Sequence, residues 1–197
     1  LIYFDAKSLS LNDKEINALI LKYNSRLPAR QQNRRIERHG NNLYINSNED
    51  NTVFIIETLL NKNSKFKKGE YTCFAKKNLD KSKMDDPQKI DAIYKMFSNN
   101  GFFCIYGSAG TGKSTLISHE LSILNNYSKL CLANTHPAVQ NMKRKINDND
   151  AEYMTISSFI YNKSVKTDWD ILVIDECSNV STNDMAKILD NVNAGLI

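Results

Sequence analysis

The stretch FFCIYGSAGTGKSTLISHEL, Phe102–Leu121, limits what this chain can fold into more than any other. An apolar run of strand length, Phe102–Tyr106, leads into a glycine-rich turn, and a helix-type pattern begins near Gly112. The turn fits G-x-x-x-x-G-K-[ST]: Gly107, Gly112, Lys113 and Ser114 hold the fixed places, Ser108, Ala109, Gly110 and Thr111 fill the interval, and Thr115 follows. Glycines let backbone N–H groups curl around a polyphosphate, and the positive end of the next helix adds to their field. Lys113 is expected to bridge the β- and γ-phosphates, and Ser114 to offer its hydroxyl to a magnesium ion.

A second feature completes the first. The apolar run WDILVIDECSNVS ends in two adjacent carboxylates, Asp175 and Glu176. An acidic residue at such a strand end reaches the metal shell that Ser114 shares, and a neighbouring carboxylate orients or deprotonates an attacking water. Asp175 is therefore assigned to the metal and Glu176 to the water, with Lys113 as the other catalytic group. Taken alone, a DE pair after a strand is a common start for a turn or a helix cap. Together with Lys113 and Ser114 it gives the cradle, metal ligand and base that a nucleotide hydrolase requires.

Between and before these segments the pattern alternates. QKIDAIYKMFSNN places Ile90, Ile93, Tyr94 and Phe97 on one helix face, KLCLAN reads as a buried strand, and THPAVQNMKRKI as a helix. Strands alternating with helices imply an α/β architecture, a parallel sheet with flanking crossover helices and ligands beyond the carboxyl ends of the strands.

The front of the chain differs. Residues 1–84 carry 16 basic and 9 acidic side chains and residues 85–197 carry 10 and 13, which together give the net +4. This asymmetry suggests two units with different partners. In residues 12–39, Asn12 is expected to cap a helix bearing Ile16, Leu19, Ile20, Tyr23 and Leu27, which Pro28 ends or kinks. Beyond it, Arg30, Arg34, Arg35 and Arg38 are spaced to line one side of a second helix. They suit nucleic-acid phosphates. They suit a solvated helix face at least as well, since no aromatic residues are interleaved for base stacking. NLYIN, TVFIIETLL and EYTCFAKK then read as strands, with TVFIIETLL equally a short buried helix. The expectation is a small basic α+β unit over 1–84, a linker over 76–86, and a second unit over 85–197.

No apolar stretch approaches 18 residues and no signal peptide is visible, so the default expectation is a soluble, cytoplasmic protein without membrane contact. The four cysteines never form C-x-x-C, and three sit in or beside strand-like runs, where a reduced, buried cysteine acts as a small hydrophobe. The three histidines are scattered and none is assigned to a metal. The start at Leu1 and the end at Ile197 suggest a piece of a longer chain.

GSAGTGKST, LANTHPAVQNM, TISSF and VIDECSNVS, in this order, resemble the first motifs of superfamily one DNA helicases, most closely the RecD-like and Dda-like branch. The short interval between cradle and acidic pair favours that branch, and the residues after the pair, Cys177, Ser178 and Asn179, approach its D-E-x-S-M, with Asn179 where methionine is usual. The resemblance covers about residues 85–197. It implies a RecA-like P-loop motor domain, incomplete at its C-terminus, that binds ATP and Mg2+. It further implies a second RecA-like domain in the parent chain and a track for single-stranded nucleic acid, DNA rather than RNA. DDPQ is similar to the glutamine motif that reads adenine, which makes Gln88 a base contact or else a surface residue heading a helix. Thr135 and His136 match a motif touching the DNA backbone. Thr155, Ser157 and Ser158 match another, with Ser157 replacing the usual histidine. These hydroxyls are also natural turn formers and helix caps. The implied activity is ATP hydrolysis driving movement along a strand, negligible in this piece alone. The alternative is an ATP-binding regulatory or switch module that presents the basic N-terminal unit to a partner. A third reading, with the N-terminal unit as the working enzyme, finds no catalytic constellation in residues 1–84.

Overall fold

The computed structural model describes residues 3–65, 73, 77, 90–91, 93–96, 101–108, 110–162 and 164–196. By its contacts the chain divides into two units, 1–57 and 58–197. The expected linker over 76–86 lies outside the described residues apart from Lys77, and so do Gln88 and Ala109.

The first unit is built on a three-stranded antiparallel sheet in the order β1-β3-β2, from β1 (Phe4–Asp5), β2 (Ile36–His39) and β3 (Asn42–Ile45). Strands β2 and β3 form a tight hairpin in register His39↔Asn42, and Gly40 takes the positive φ of 60° that its first turn position requires. Helix α1 (Asp13–Ser25) starts as the sequence predicts. Asn12 accepts from Glu15 N while Glu15 reaches back to Asn12 N, a full capping box.

The expected arginine-bearing second helix does not form. Residues Ala29–Arg34 make a kinked 3-10 segment, non-helical at Gln31, and Arg38 lies on β2. The cause is local. The Asn24 side chain accepts from Ile36 N and donates to Ile36 O, both at 2.9 Å, which pins Ile36 as the start of a strand. Arg38 is then spent inside the unit, ion-paired to Asp13 and donating to Gly40 O at 2.8 Å. Arg30, Arg34 and Arg35 stay exposed.

TVFIIETLL resolves as helix, inside α2 (Asn46–Lys65), but not as a buried one: Val53, Phe54, Ile56 and Leu60 are exposed. The polar NSNED segment ahead of it supplies the first turn, so the apolar run continues a long helix and never meets a strand partner. EYTCFAKK lies outside the described residues except for Cys73 and Lys77, which are helical.

The second unit has a parallel four-stranded sheet in the order β5-β4-β6-β7, with β4 (Lys129–Ala133), β5 (Ala151–Thr155), β6 (Asp168–Ile174) and β7 (Asn193–Leu196). Helix α3 (Lys113–Ile123) leads into β4, and α4 (His136–Ile146), α5 (Ile156–Tyr161) and α6 (Thr182–Asn191) supply the crossovers. The architecture is the expected parallel sheet with flanking helices. Both sheet faces are covered. Cys131, Ala133 and Ile171 point into a core with Leu116, Leu121 and Val139, and Leu130, Leu132 and Leu172 point into one with Ile156, Phe159 and Ile188. This explains why β4 reads as an unbroken apolar run rather than an alternating one. At its amino end Lys129 is fully buried, with Nζ 2.8 Å from Asp148 Oδ2.

Two expectations are corrected in this unit. Phe102–Tyr106 forms no strand: Phe102, Phe103 and Ile105 are half-buried, Cys104 and Tyr106 are exposed, and only Ile105 packs on the core. The run lacks the second covered face that an interior parallel strand has. Of the cysteines, all free, only Cys131 is buried; Cys73, Cys104 and Cys177 are exposed.

Candidate functional site

The glycines of the turn do what the motif demands of them. Gly110 and Gly112 both adopt φ 82°, and Gly112 caps α3 from that left-handed conformation. A side chain at Gly107 would place its Cβ 3.1 Å from Thr111 Oγ1, which itself donates to Ser108 O at 2.9 Å. The loop thus closes on itself and keeps its concave side for a ligand. Lys113 folds back over it, donating from Nζ to Gly107 O and Ser108 O, each at 2.7 Å.

Ser114, in the first turn of α3, and Asp175, just past β6, line one small cleft. Asp175 is held by its own backbone, its N–H donating to Leu132 O at 2.9 Å. Among the described residues no three His, Cys, Asp or Glu side chains cluster as a metal site. A hydroxyl and a carboxylate from the protein, with the remaining ligands from phosphate and water, is what magnesium at a nucleotide site uses. The left-handed Gly110 and Gly112, with Ser114 and Asp175 lining one cleft, fit a nucleotide with its metal.

Glu176 follows in the left-handed region, φ 51° and ψ 44°, an uncommon and costly conformation for a residue with a side chain. It is exposed, and Asn179 Nδ2 donates to its Oε2 at 3.2 Å. Burial pushes the neighbouring Cys177 thiol up, and Cys104 and Asp175 push it further, so Cys177 stays a thiol at neutral pH.

The other candidates fall on the same rim. The register sets Ala133 beside Thr155 and Leu132 beside Ile174, so Thr135–His136, Thr155–Ser157 and Asp175–Glu176 all follow the carboxyl ends of three neighbouring parallel strands. Both threonines are helix caps: Thr135 Oγ1 accepts from Ala138 N and Thr155 Oγ1 from Ser158 N. His136 and Ser157 are exposed beside them, and Thr155 is buried.

Sequence reading missed two kinds of residue. Asn141 and Lys145 line the same cleft as Ser114 and Asp175, and Asn179 holds Glu176. Asn141 and Lys145 stand one turn apart beside Met142 and Ile146, the buried residues of α4, so the helical period was the available signal.

No match is found among the curated proteins. The sequence model of the family described as an AAA domain matches residues 89–196, more than half of the chain, and the match spans the cradle, the acidic pair and the whole described sheet. The chain belongs to this AAA domain family of P-loop NTPases.

Proposed function

We propose that the chain works in an ATP-dependent DNA helicase or translocase of superfamily one, in the RecD-like branch, gripping Mg-ATP and coupling it to single-stranded DNA. The observation that carries this reading is the shared rim: Thr135–His136 follow β4, the strand beside the one that delivers Asp175 and Glu176, and Thr155–Ser157 stand at the end of β5, the next strand out. The nucleotide site and the proposed track therefore share the carboxyl edge of one sheet, where ligands of such sheets bind.

In this mechanism Lys113 leaves the Gly107 and Ser108 carbonyls for the β- and γ-phosphates. Ser114 and Asp175 would hold the metal, which would supply charge neutralisation for the triphosphate. Glu176 orients the attacking water, and its constrained backbone fixes where the carboxylate sits. Ser108, Gly110, Thr111 and Glu176 are all exposed. Such a site needs a second wall to exclude water and supply further positive charge, and a second RecA-like domain is the proposed source. Gln88 is proposed as the adenine contact.

The test is equilibrium binding of labelled single-stranded DNA, and of RNA of the same sequence, to the 197-residue chain with and without Mg2+ and a non-hydrolysable ATP analogue. The expected result is DNA binding whose affinity changes with nucleotide. Binding indifferent to nucleotide, or no binding to either nucleic acid, would overturn the coupling.

A further inference from the structure

The cleft that joins Ser114 to Asp175 has an outer wall that the hydrolysis scheme does not use. Asn141 and Lys145 line it from α4, over a floor that includes Met142 and Val173. Arg144 Nη2 donates to Asn141 Oδ1 at 3.0 Å, which draws a guanidinium toward Asn141 and leaves the Asn141 amide nitrogen available as a donor. Lys145 is exposed and, among the described residues, makes no hydrogen bond or ion pair. The last turn of α4 carries Lys143, Arg144 and Lys145 ahead of the buried Ile146. Ser114 and Asp175, which offer a hydroxyl and a carboxylate to a divalent cation, therefore share the lining of one small cleft with a cationic residue, Lys145.

A positive charge sharing a small cleft with a magnesium subsite opposes the metal at every distance the cleft allows. The opposition is relieved when a triphosphate arrives with the metal, because the complex carries net negative charge. We propose that Lys145 sets the magnesium requirement of the site: it keeps the Ser114–Asp175 pair from filling with free Mg2+ and makes metal entry depend on the nucleotide. This rests on the nucleotide-binding reading of the cradle and assigns a task to a residue outside its motifs.

The experiment is a Mg2+ titration of the nucleotide-free full chain, read by displacement of bound Mn2+, comparing wild type with Lys145→Met and Lys145→Arg. Lys145→Met is expected to lower the half-saturating Mg2+ concentration by roughly three- to tenfold, the size of an exposed charge interaction acting on a divalent ion. Lys145→Arg is expected to track wild type, and the Lys145→Met difference should shrink as potassium chloride is raised. An unchanged Mg2+ curve in Lys145→Met overturns the inference while leaving the parent reading intact. Lys113→Ala, run in parallel, tests the parent reading: if it binds nucleotide as well as wild type does, both fall together.

Discussion

Lys113 Nζ donates 2.7 Å to the carbonyl oxygen of Gly107, at the opposite end of its own loop, and to Ser108 O at the same distance. The ammonium therefore already sits over the concave side of the turn, exchanging two carbonyl dipoles for phosphate charge when a nucleotide enters. Replacing it leaves the glycine geometry in place and removes the charge-assisted bonds. Lys113→Ala is expected to weaken Mg-nucleotide binding roughly 10- to 100-fold, which matches a lost hydrogen bond to a charged group. Isothermal titration checks this, with circular dichroism showing an unchanged fold.

Glu176 combines a backbone penalty with a chemical task, and two substitutions separate them. Glu176→Gln keeps the left-handed residue and removes the carboxylate; nucleotide should bind as before while any hydrolysis is lost. Glu176→Gly relieves the φ 51° conformation and should raise the unfolding free energy by about 1 kcal/mol relative to Glu176→Gln. Thermal melts of the two variants together with nucleotide binding decide the matter. Equal stabilities would show that the conformation carries no strain.

The parts of the site visible in the sequence are those that chemistry forces into a fixed spacing. Gly107, Gly112, Lys113 and Ser114 must stand as they do for any chain that wraps a triphosphate, and β6 announced Asp175 and Glu176 by its apolar length. What spacing does not encode was missed. The left-handed φ of Glu176 leaves no periodic trace, and the helical period that sets Asn141 and Lys145 beside the buried face of α4 does not say which cleft they line. The arginines of 30–38 misled for a related reason. Four-residue spacing suggested a helix, but one side chain, Asn24, satisfies both backbone groups of Ile36 and converts the segment to strand. The run Phe102–Tyr106 has strand composition, yet composition does not supply the second covered face that sheet pairing uses.

Glu120 should give the fold a distinctive pH dependence. It lies in α3 at 4% exposure, Oε1 has no hydrogen-bond partner, and burial raises its pKa to about 8. The folded chain therefore binds a proton here between the unfolded pKa of 4.5 and about 8 that the unfolded chain releases. Stability contributed by this group is full below 4.5 and declines as pH rises to about 8. Glu120→Gln removes the slope. Its advantage over wild type should be absent near pH 4.5 and grow to the order of a few kcal/mol by pH 8. Denaturant melts across this range are the measurement, and parallel curves for the two proteins would show that Glu120 ionises freely in the folded chain.

The arginines of the first unit divide into two kinds. Arg34 and Arg35 are exposed, whereas the Arg38 side chain is 16% exposed, ion-paired to Asp13 and bonded to Gly40 O and Asn17 Oδ1, tying α1 to the hairpin. If Arg34 and Arg35 contact phosphates, Arg34→Ala and Arg35→Ala should each weaken single-stranded DNA binding whatever its sequence. Each should also reduce the slope of log affinity against log salt by about 0.7, since one fewer counterion is displaced. Arg38→Ala should leave that slope unchanged and lower the unfolding free energy by about 1 kcal/mol, because its donors serve the fold. A salt series on the three variants, paired with melts, distinguishes these outcomes. A salt slope that falls only in Arg38→Ala would move the nucleic-acid surface from the 3-10 segment to the hairpin.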